Sequence, residues 1–239
     1  MPARAKSELA PSGTLRVGVN LGNFLLVNKD AASGQLRGIV PDLAEELGRR
    51  LALPVALVSF PGAGEVADGA KAGAWDVAFL GAEPQRAEEI AFTPAYLEIP
   101  ATYLVPAGSR MRTLGDVDRA GVRIAVSARS AYDLYLSRNL KHAQLVRAEG
   151  LSASFDLFVA QKPDVLSGLL PRLTADVTRL PGARILEGRF TAVQQAIGTP
   201  KARAAAAAWL REFVADIKAS GLVARAIARH GIKGVSVAP

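Results

Sequence analysis

Two short stretches of the sequence carry residues that could bind an anion. Arg86 follows the loop after a predicted buried strand at residues 75–80, and Arg129 and Ser130 stand at a predicted strand-to-helix turn. The planar guanidinium of arginine donates two parallel hydrogen bonds to a carboxylate. The free N–H groups at the start of a helix also attract negative charge. These residue types are therefore able to bind an anionic group such as a carboxylate.

Both stretches also have structural interpretations, which the sequence leaves open. Arg86 could pair with a neighbouring carboxylate, Glu83, Glu88 or Glu98. Arg129 could cap its loop or point to solvent. The carboxylates expected near the anion-binding residues are Glu83, Glu98 and Asp133, and no pair among them has a spacing that indicates acid–base chemistry.

Composition argues against several other kinds of site. The 239 residues include no cysteine, which excludes disulfides, thiolate metal sites and cysteine nucleophiles. The two histidines, His142 and His230, form no metal motif, and no metal, cofactor or catalytic residue is predicted. The net charge is +7, but the basic residues are scattered and only 6% of the residues are aromatic, so nucleic-acid binding is not expected.

The N-terminal residues are compatible with two cellular locations of the protein. No run reaches the roughly 18 apolar residues that a membrane span needs. The first residues, MPARAKSELAPSG, have basic side chains but no apolar stretch after them, so they do not form a signal peptide. Either an export signal was removed and a methionine added, or the protein stays in the cytoplasm. Residues 1–13 are predicted to be a flexible N-terminal segment.

Alternating strand and helix patterns indicate an α/β fold. Strands are predicted at residues 15–19, 55–60 and 75–80. A helix from residue 41, with Leu43, Leu47 and Leu51 on one apolar face, and a short helix that ends near residue 71 separate them. This β-α-β-α-β order implies a doubly wound sheet. A second β/α unit begins at residue 114 and contains a strand at 122–126, a helix at 130–140, and further segments up to residue 186. The chain is extended again at 190–197 and ends in helices at 200–218 and 222–230.

An ordered set of motifs resembles one known family. The motifs are Leu-Arg-Val-Gly-Val at 15–19, Gly-Gln-Leu-Arg-Gly-Ile-Val-Pro-Asp-Leu-Ala at 34–44, Lys-Ala-Gly-Ala-Trp-Asp at 71–76, Gln-Arg-Ala-Glu-Glu-Ile-Ala-Phe-Thr-Pro-Ala-Tyr at 85–96, Leu-Gly-Asp-Val at 114–117 and Gly-Val-Arg-Ile-Ala-Val at 121–126. Over about residues 13–234 the chain resembles the bacterial family-3 extracellular solute-binding proteins, which include the amino acid receptors of ABC transporters.

The resemblance implies the two-lobed type II fold of periplasmic binding proteins, with two doubly wound sheets joined by a two-strand hinge. Residues 14–98 and 194–239 would form the first lobe and residues 99–193 the second. The lobes would close on a small carboxylate-bearing ligand, an amino acid or an organic acid. The resemblance further implies a monomer, a periplasmic location if a signal peptide was removed, and an ABC transporter permease as partner.

In the first lobe, the resemblance makes Arg86 the arginine that binds the ligand carboxylate. Gly81 and Ala82 would line the cleft beside it and offer backbone N–H and C=O groups, although a plain tight turn would explain them as well. Asn20 and Asn23 lie in the loop after the first strand, which often contacts ligands in this family, but asparagine also caps turns. Phe24 would wall the pocket or belong to the core.

In the second lobe, the turn Arg129-Ser130-Ala131-Tyr132 stands where the family commonly has glycine followed by serine or threonine. Two positions depart from amino acid receptors. Leu169 stands where an aspartate usually holds the ligand ammonium, and Ala63 stands where an aromatic ring usually stacks on the ligand. These departures favour a neutral or anionic carboxylate ligand over a cationic one.

Two other functions remain open at this level. Enzymes similar to cyclohexadienyl dehydratase share this fold and use a cleft carboxylate as a general acid, but the region of Leu169 offers no acidic group. A stand-alone cytoplasmic sensor is the other alternative, if the gene begins at Met1. The sequence is predicted to encode a binding protein rather than an enzyme.

Overall fold

The computed structural model describes residues 3–239 of the chain. The strands, in chain order, are β1 (Leu15–Asn20), β2 (Asn28–Lys29), β3 (Leu36–Arg37), β4 (Val55–Phe60), β5 (Val77–Gly81), β6 (Ile90–Phe92), β7 (Leu97–Val105), β8 (Arg123–Ser127), β9 (Gln144–Ala148), β10 (Val165–Leu169), β11 (Arg184–Ile185), β12 (Thr191–Pro200) and β13 (Ser236–Val237). The α-helices are α1 (Ala3–Leu9), α2 (Ile39–Leu51), α3 (Ala63–Asp68), α4 (Ala131–Asn139), α5 (Leu151–Gln161), α6 (Leu170–Val177), α7 (Ala204–Ala219) and α8 (Leu222–Arg229).

The chain divides into two compact units. The first runs to Glu98 and resumes over Gln194–Pro239, and the second is Ile99–Val193. The chain therefore passes from one unit to the other twice, within the segments that form β7 and β12.

The sheet of the first unit has the parallel centre that the β-α-β-α-β pattern predicts. β1 lies between β4 and β5 and is parallel to both. β12 then pairs antiparallel with β5, and β6 pairs with β12. Helix α2 turns Leu43, Leu47 and Leu51 to the interior, as their spacing predicts, because residues four apart share one face of a helix.

The second unit repeats this arrangement with different strands. β8 lies between β10 and β9 and is parallel to both, and β10 pairs antiparallel with β7. Its core contains Leu104, Ala125, Phe155, Phe158, Leu166 and Leu173. Helix α6 and the hairpin of β2 and β3 are elements that the sequence patterns do not predict. Both are short, and α6 follows β10 without an intervening loop.

The N-terminal segment corrects one prediction. Residues 1–13 are predicted to be flexible, yet α1 lies against α7, with Ala5 and Leu9 fully buried. The Glu8 carboxylate also accepts a hydrogen bond from the backbone N–H of Ala206 at 2.9 Å, in the first turn of α7. The segment is ordered because the two buried residues of α1, four positions apart, pack against α7. Residues 1 and 2 lie outside the described part of the chain.

A buried carboxylate joins three segments of the first unit. Asp76, just before β5, has a fully buried side chain. It accepts hydrogen bonds from Arg16 Nε at 3.0 Å, Arg16 Nη2 at 2.9 Å and Arg203 Nη1 at 2.8 Å. Arg16 belongs to β1 and Arg203 caps the start of α7, so this ion pair network connects β1, β5 and α7.

One glycine of the family-like motif at residues 34–44 has a conformation that excludes side chains. Gly38 has a φ of 136° and ψ of −174°, and a Cβ there would lie 2.3 Å from the carbonyl oxygen of Leu26. Gly38→Ala is expected to lower the free energy of unfolding by about 2 kcal/mol, because this backbone region is open almost only to glycine. Urea denaturation measures the loss.

The control is Gly115→Ala, where the nearest atom to an added Cβ is 3.8 Å away. Its free energy of unfolding should stay within about 0.5 kcal/mol of the wild type. Equal losses in the two variants would contradict the conformational argument for Gly38.

Candidate functional site

The carboxyl ends of β1 and β5 lie at the same edge of the first unit's sheet. The two strands are parallel neighbours, with Val17 opposite Val77. Asn20 is the last residue of β1, and Gly81 is the last residue of β5. Open α/β sheets bind their ligands at this edge. The structure therefore brings the predicted residues of the first unit into two neighbouring loops.

Arg86 is buried at this edge. Only 5% of the surface of Arg86 is exposed. Its Nη1 donates a hydrogen bond to the carbonyl oxygen of Gly81 at 2.7 Å. The residue starts a short 3-10 helix, Arg86–Glu88, that follows the loop after β5. A buried guanidinium has lost its hydration and gains most from a charged partner. The bond to Gly81 fixes this guanidinium against the end of the strand.

The backbone at the end of β5 has less to offer a ligand than the resemblance implies. The carbonyl oxygen of Gly81 accepts the Arg86 bond, and the N–H of Ala82 donates to the carbonyl oxygen of Gln194 at 2.8 Å. The N–H of Ala82 is therefore committed to β12. Any contact of Ala82 with a ligand would come from its methyl group or its carbonyl oxygen.

The loop after β1 contains both a turn-forming and a buried asparagine. Asn20 Oδ1 accepts a hydrogen bond from the N–H of Gly22 at 2.9 Å, which is the turn role that asparagine often has. Asn23 is 7% exposed, and its Oδ1 accepts no hydrogen bond from any residue between 3 and 239. A buried oxygen without a donor costs free energy, and the Asn20 oxygen, which has a donor, carries no such cost. Phe24 is 37% exposed, which excludes the interpretation that it is a core residue.

In the second unit, the turn after β8 has a left-handed residue. Arg129 has a φ of 57°, a region that side chains rarely occupy and that glycine tolerates. This conformation is one that glycine, the residue expected here from the resemblance, adopts without strain. Ser130 is the N-cap of α4, and its Oγ accepts a hydrogen bond from the N–H of Asp133 at 3.1 Å. The side chain of Ser130 therefore serves the helix, as N-cap residues do.

The remaining two predicted residues of this turn are buried in the second unit. Ala131 and Tyr132 form the first turn of α4 and have almost no exposed surface. Burial raises the pKa of Tyr132 to about 12, so the phenol stays neutral at ordinary pH. These two residues support the turn from within rather than line its surface.

Sequence patterns do not single out the pair of Asp133 and Arg147. Asp133 is 2% exposed and accepts a hydrogen bond from the N–H of Arg129 at 2.8 Å. Arg147 on β9 donates Nε to both carboxylate oxygens, at 3.0 and 3.1 Å. The pair forms because β8 and β9 are neighbours, with Val126 opposite Arg147. A separation of 14 residues gives no local signal for such a contact.

The two residues predicted to depart from the pattern of amino acid receptors lie at the end of a strand and at the start of a helix. Leu169 is the last residue of β10, which is parallel to β8, and it is buried. Ala63 begins α3. The carboxyl end of β10 thus carries a buried leucine.

Metal-ligand clusters, apolar helices and the histidines concern the part of the chain that the structure describes, residues 3–239. Over residues 3–239 there is no group of three or more His, Cys, Asp or Glu side chains that could hold a metal ion. Among the same residues no helix has the length and apolar character to cross a membrane. His230 contacts Asp42 at 3.0 Å, so this histidine has a structural partner.

Comparison with known proteins identifies a family for most of the chain. The sequence model of the bacterial extracellular solute-binding proteins, family 3, matches residues 15–232. No curated protein matches the chain significantly.

Solved structures with similar folds include several binding proteins. The solute receptor for L-cysteine of Neisseria gonorrhoeae has a TM-score of 0.80 at 18% identity, over 96% of this chain and 95% of that chain. A mutant of ArgBP from T. maritima has a TM-score of 0.78 at 21% identity, over 95% and 99% of the two chains. An ancestral amino acid-binding protein, described as a precursor of cyclohexadienyl dehydratase, has a TM-score of 0.77 at 20% identity, over 94% and 98%. These likenesses confirm the predicted fold class, the two-lobed α/β fold of periplasmic binding proteins.

Proposed function

Because this chain belongs to the bacterial extracellular solute-binding proteins, family 3, we propose that it binds a small carboxylate-bearing ligand, an amino acid or an organic acid, and that Arg86 binds the carboxylate. One observation carries the proposal: a buried guanidinium is fixed at the carboxyl end of β5, where it donates to Gly81. A carboxylate is the partner that its planar N–H groups fit best.

The second unit contributes to the proposed ligand class through the start of α4. Ser130 caps the helix, and the N–H groups of its first turn bear partial positive charge. Leu169 at the end of β10 adds no negative charge that would hold an ammonium group. Both features support a neutral or anionic ligand over a cationic one, and contacts from Asn20, Asn23, Phe24 and Arg129 remain part of the proposal.

The proposed cellular role is capture of the ligand for an ABC transporter, outside the cytoplasm. Family membership supports this role, because the family consists of extracellular solute-binding proteins. We propose that lobe closure on the ligand presents the protein to a permease, and that the protein acts as a monomer. Analytical ultracentrifugation with and without ligand tests the monomer.

A dehydratase-like enzyme is the alternative on this fold, and one similar structure is described as a precursor of such an enzyme. Catalysis of that kind needs a carboxylate able to donate a proton. Asp133 is engaged by Arg147 and by the N–H of Arg129, and Leu169 is apolar. These two positions favour binding without chemistry.

A thermal-shift screen tests the proposed function. The purified protein is heated with each standard L-amino acid, succinate, glutarate and benzoate in turn. A ligand that binds the native state raises the melting temperature once its concentration exceeds the dissociation constant. We expect a rise with at least one carboxylate and none with the matching primary amide, which lacks the charge.

Two further results bear on the proposal. Mass spectrometry of the compound after incubation is expected to find it unchanged, and conversion would support the enzyme instead. If no carboxylate raises the melting temperature and mass spectrometry of the denatured protein finds no retained carboxylate, the proposed function is wrong.

A further inference from the structure

The first turn of α4 encloses a carboxylate that no ligand could reach. Asp133 is almost completely buried, yet both of its oxygens have donors. One donor is the backbone N–H of Arg129, at 2.8 Å, which belongs to the turn just before the helix. The N–H of Asp133 in turn donates to Ser130 Oγ at 3.1 Å. Asp133 thus holds the turn through two hydrogen bonds, one accepted from Arg129 and one donated to Ser130.

Arg147 completes this arrangement from a different strand. Its Nε donates to both oxygens of Asp133, at 3.0 and 3.1 Å, and its Nη2 donates to Ser137 Oγ at 2.8 Å. The Ser137 hydroxyl donates to the carbonyl oxygen of Asp133 at 2.8 Å. Arg147 neutralises the buried carboxylate, which would otherwise be costly to keep charged. The ion pair of Asp133 and Arg147 therefore depends on the pairing of β8 and β9.

The turn needs such support because of its backbone conformation. Arg129 has a φ of 57°, which costs an arginine more than a glycine. The hydrogen bond from its N–H to Asp133 favours this conformation over the extended alternatives. Without a charged acceptor at that place, we expect the turn to sample other conformations, and the N–H groups at the start of α4 would lose their fixed direction.

We propose that the ion pair of Asp133 and Arg147 is a positioning device: it holds Arg129 and Ser130 in the conformation that binds the ligand, without touching the ligand itself. The inference rests on the proposed function, because it concerns the part of the site at the start of α4. It also refines the ligand class. Ser130 Oγ accepts the N–H of Asp133, and its hydroxyl proton is still able to donate to an acceptor such as a carboxylate oxygen.

The test compares two arginines of the second unit. Arg147→Gln removes the charge that pairs with Asp133. Arg119→Gln is the matched control, because Arg119 is an exposed arginine of the same unit whose ion pair is with Asp116 and not with Asp133. Isothermal titration with the carboxylate that gives the largest shift in the screen named above measures the dissociation constant. Amide hydrogen exchange, read by NMR, measures the protection of Arg129 and Ser130.

We expect Arg147→Gln to weaken binding by about tenfold or more, as loss of a partner that orients a binding group commonly does. The exchange of the Arg129 N–H should become faster, while amides of β10 keep their protection. Arg147→Lys, which keeps the charge, should restore part of the affinity. The control should bind as the wild type does.

The inference is overturned if Arg147→Gln binds with unchanged affinity, or if its Arg129 amide keeps full protection. A lower melting temperature with unchanged affinity would show a purely structural ion pair. The proposed function fails separately, when the wild type binds no carboxylate of the screen. In that case the exchange of the Arg129 amide still decides whether the ion pair holds the turn.

Discussion

Arg86→Ala is expected to weaken ligand binding by about a hundredfold. A hydrogen-bonded charge of this kind contributes about 1.5–3 kcal/mol, which weakens binding by about tenfold to a hundredfold when it is lost. The loss of affinity should lie at the upper end of this range, because Arg86 is buried and Gly81 holds its guanidinium in place before a ligand binds. Isothermal titration with the carboxylate found in the screen measures the change.

Two variants interpret this result. Arg86→Lys keeps the charge but cannot form two parallel hydrogen bonds, so it should recover only part of the affinity. Arg49→Ala removes an exposed arginine of α2 in the same unit, which pairs with Glu46, and should bind as the wild type does. If Arg86→Ala melts at a lower temperature but binds with unchanged affinity, Arg86 supports the end of β5 and the proposed anchor is wrong.

Asp76→Asn is expected to have the largest effect on stability. The variant leaves Arg16 and Arg203 without their buried counter-charge, and breaking a buried ion pair by removing one partner costs about 3–5 kcal/mol. The network joins β1, β5 and α7, so the loss should affect the first unit as a whole. Urea denaturation at neutral pH measures the free energy of unfolding.

The same carboxylate should make part of the stability depend on pH. Burial raises the pKa of Asp76, but hydrogen bonds from Arg16 and Arg203 outweigh it and hold this pKa below its ordinary value. A pKa lowered by folding stabilises the protein fully above the unfolded value, about 3.9, and this contribution is lost as pH falls toward the lower folded value. The difference in free energy of unfolding between the wild type and Asp76→Asn should therefore become smaller as the pH falls below about 3.9.

Asp164→Asn is the control for both measurements. Asp164 precedes β10 as Asp76 precedes β5, and it accepts a hydrogen bond from the N–H of Arg123 at 2.8 Å. Its side chain is exposed, so its replacement should have a much smaller effect. Two results would contradict the inferred role of the ion pair network. One is a loss in free energy of unfolding for Asp76→Asn that is no larger than the loss for Asp164→Asn. The other is a loss for Asp76→Asn that stays the same in acid.

Local patterns in the sequence were sufficient for most elements. Apolar residues at intervals of four predicted the buried face of α2, because residues four apart lie on one side of a helix. The run at residues 75–80 predicted a buried strand, and β5 has every residue buried. Ordered motifs over most of the chain indicated the family. The prediction that Arg86 binds a ligand rests on its place after a strand and on the resemblance to this family.

Contacts between distant residues were beyond such patterns. The chain contains equally plausible partners for every charge, and the choice among them depends on which strands are neighbours. Asp76 meets Arg203 across 127 positions, and Asp133 meets Arg147 because β9 pairs with β8. The order in α1 has the same origin: two apolar residues in a polar segment become a buried face only when α7 lies against them. Periodicity along the chain indicates which face of a helix or strand is apolar. Only the packing of the elements determines which residues contact that face and which charged residues form ion pairs.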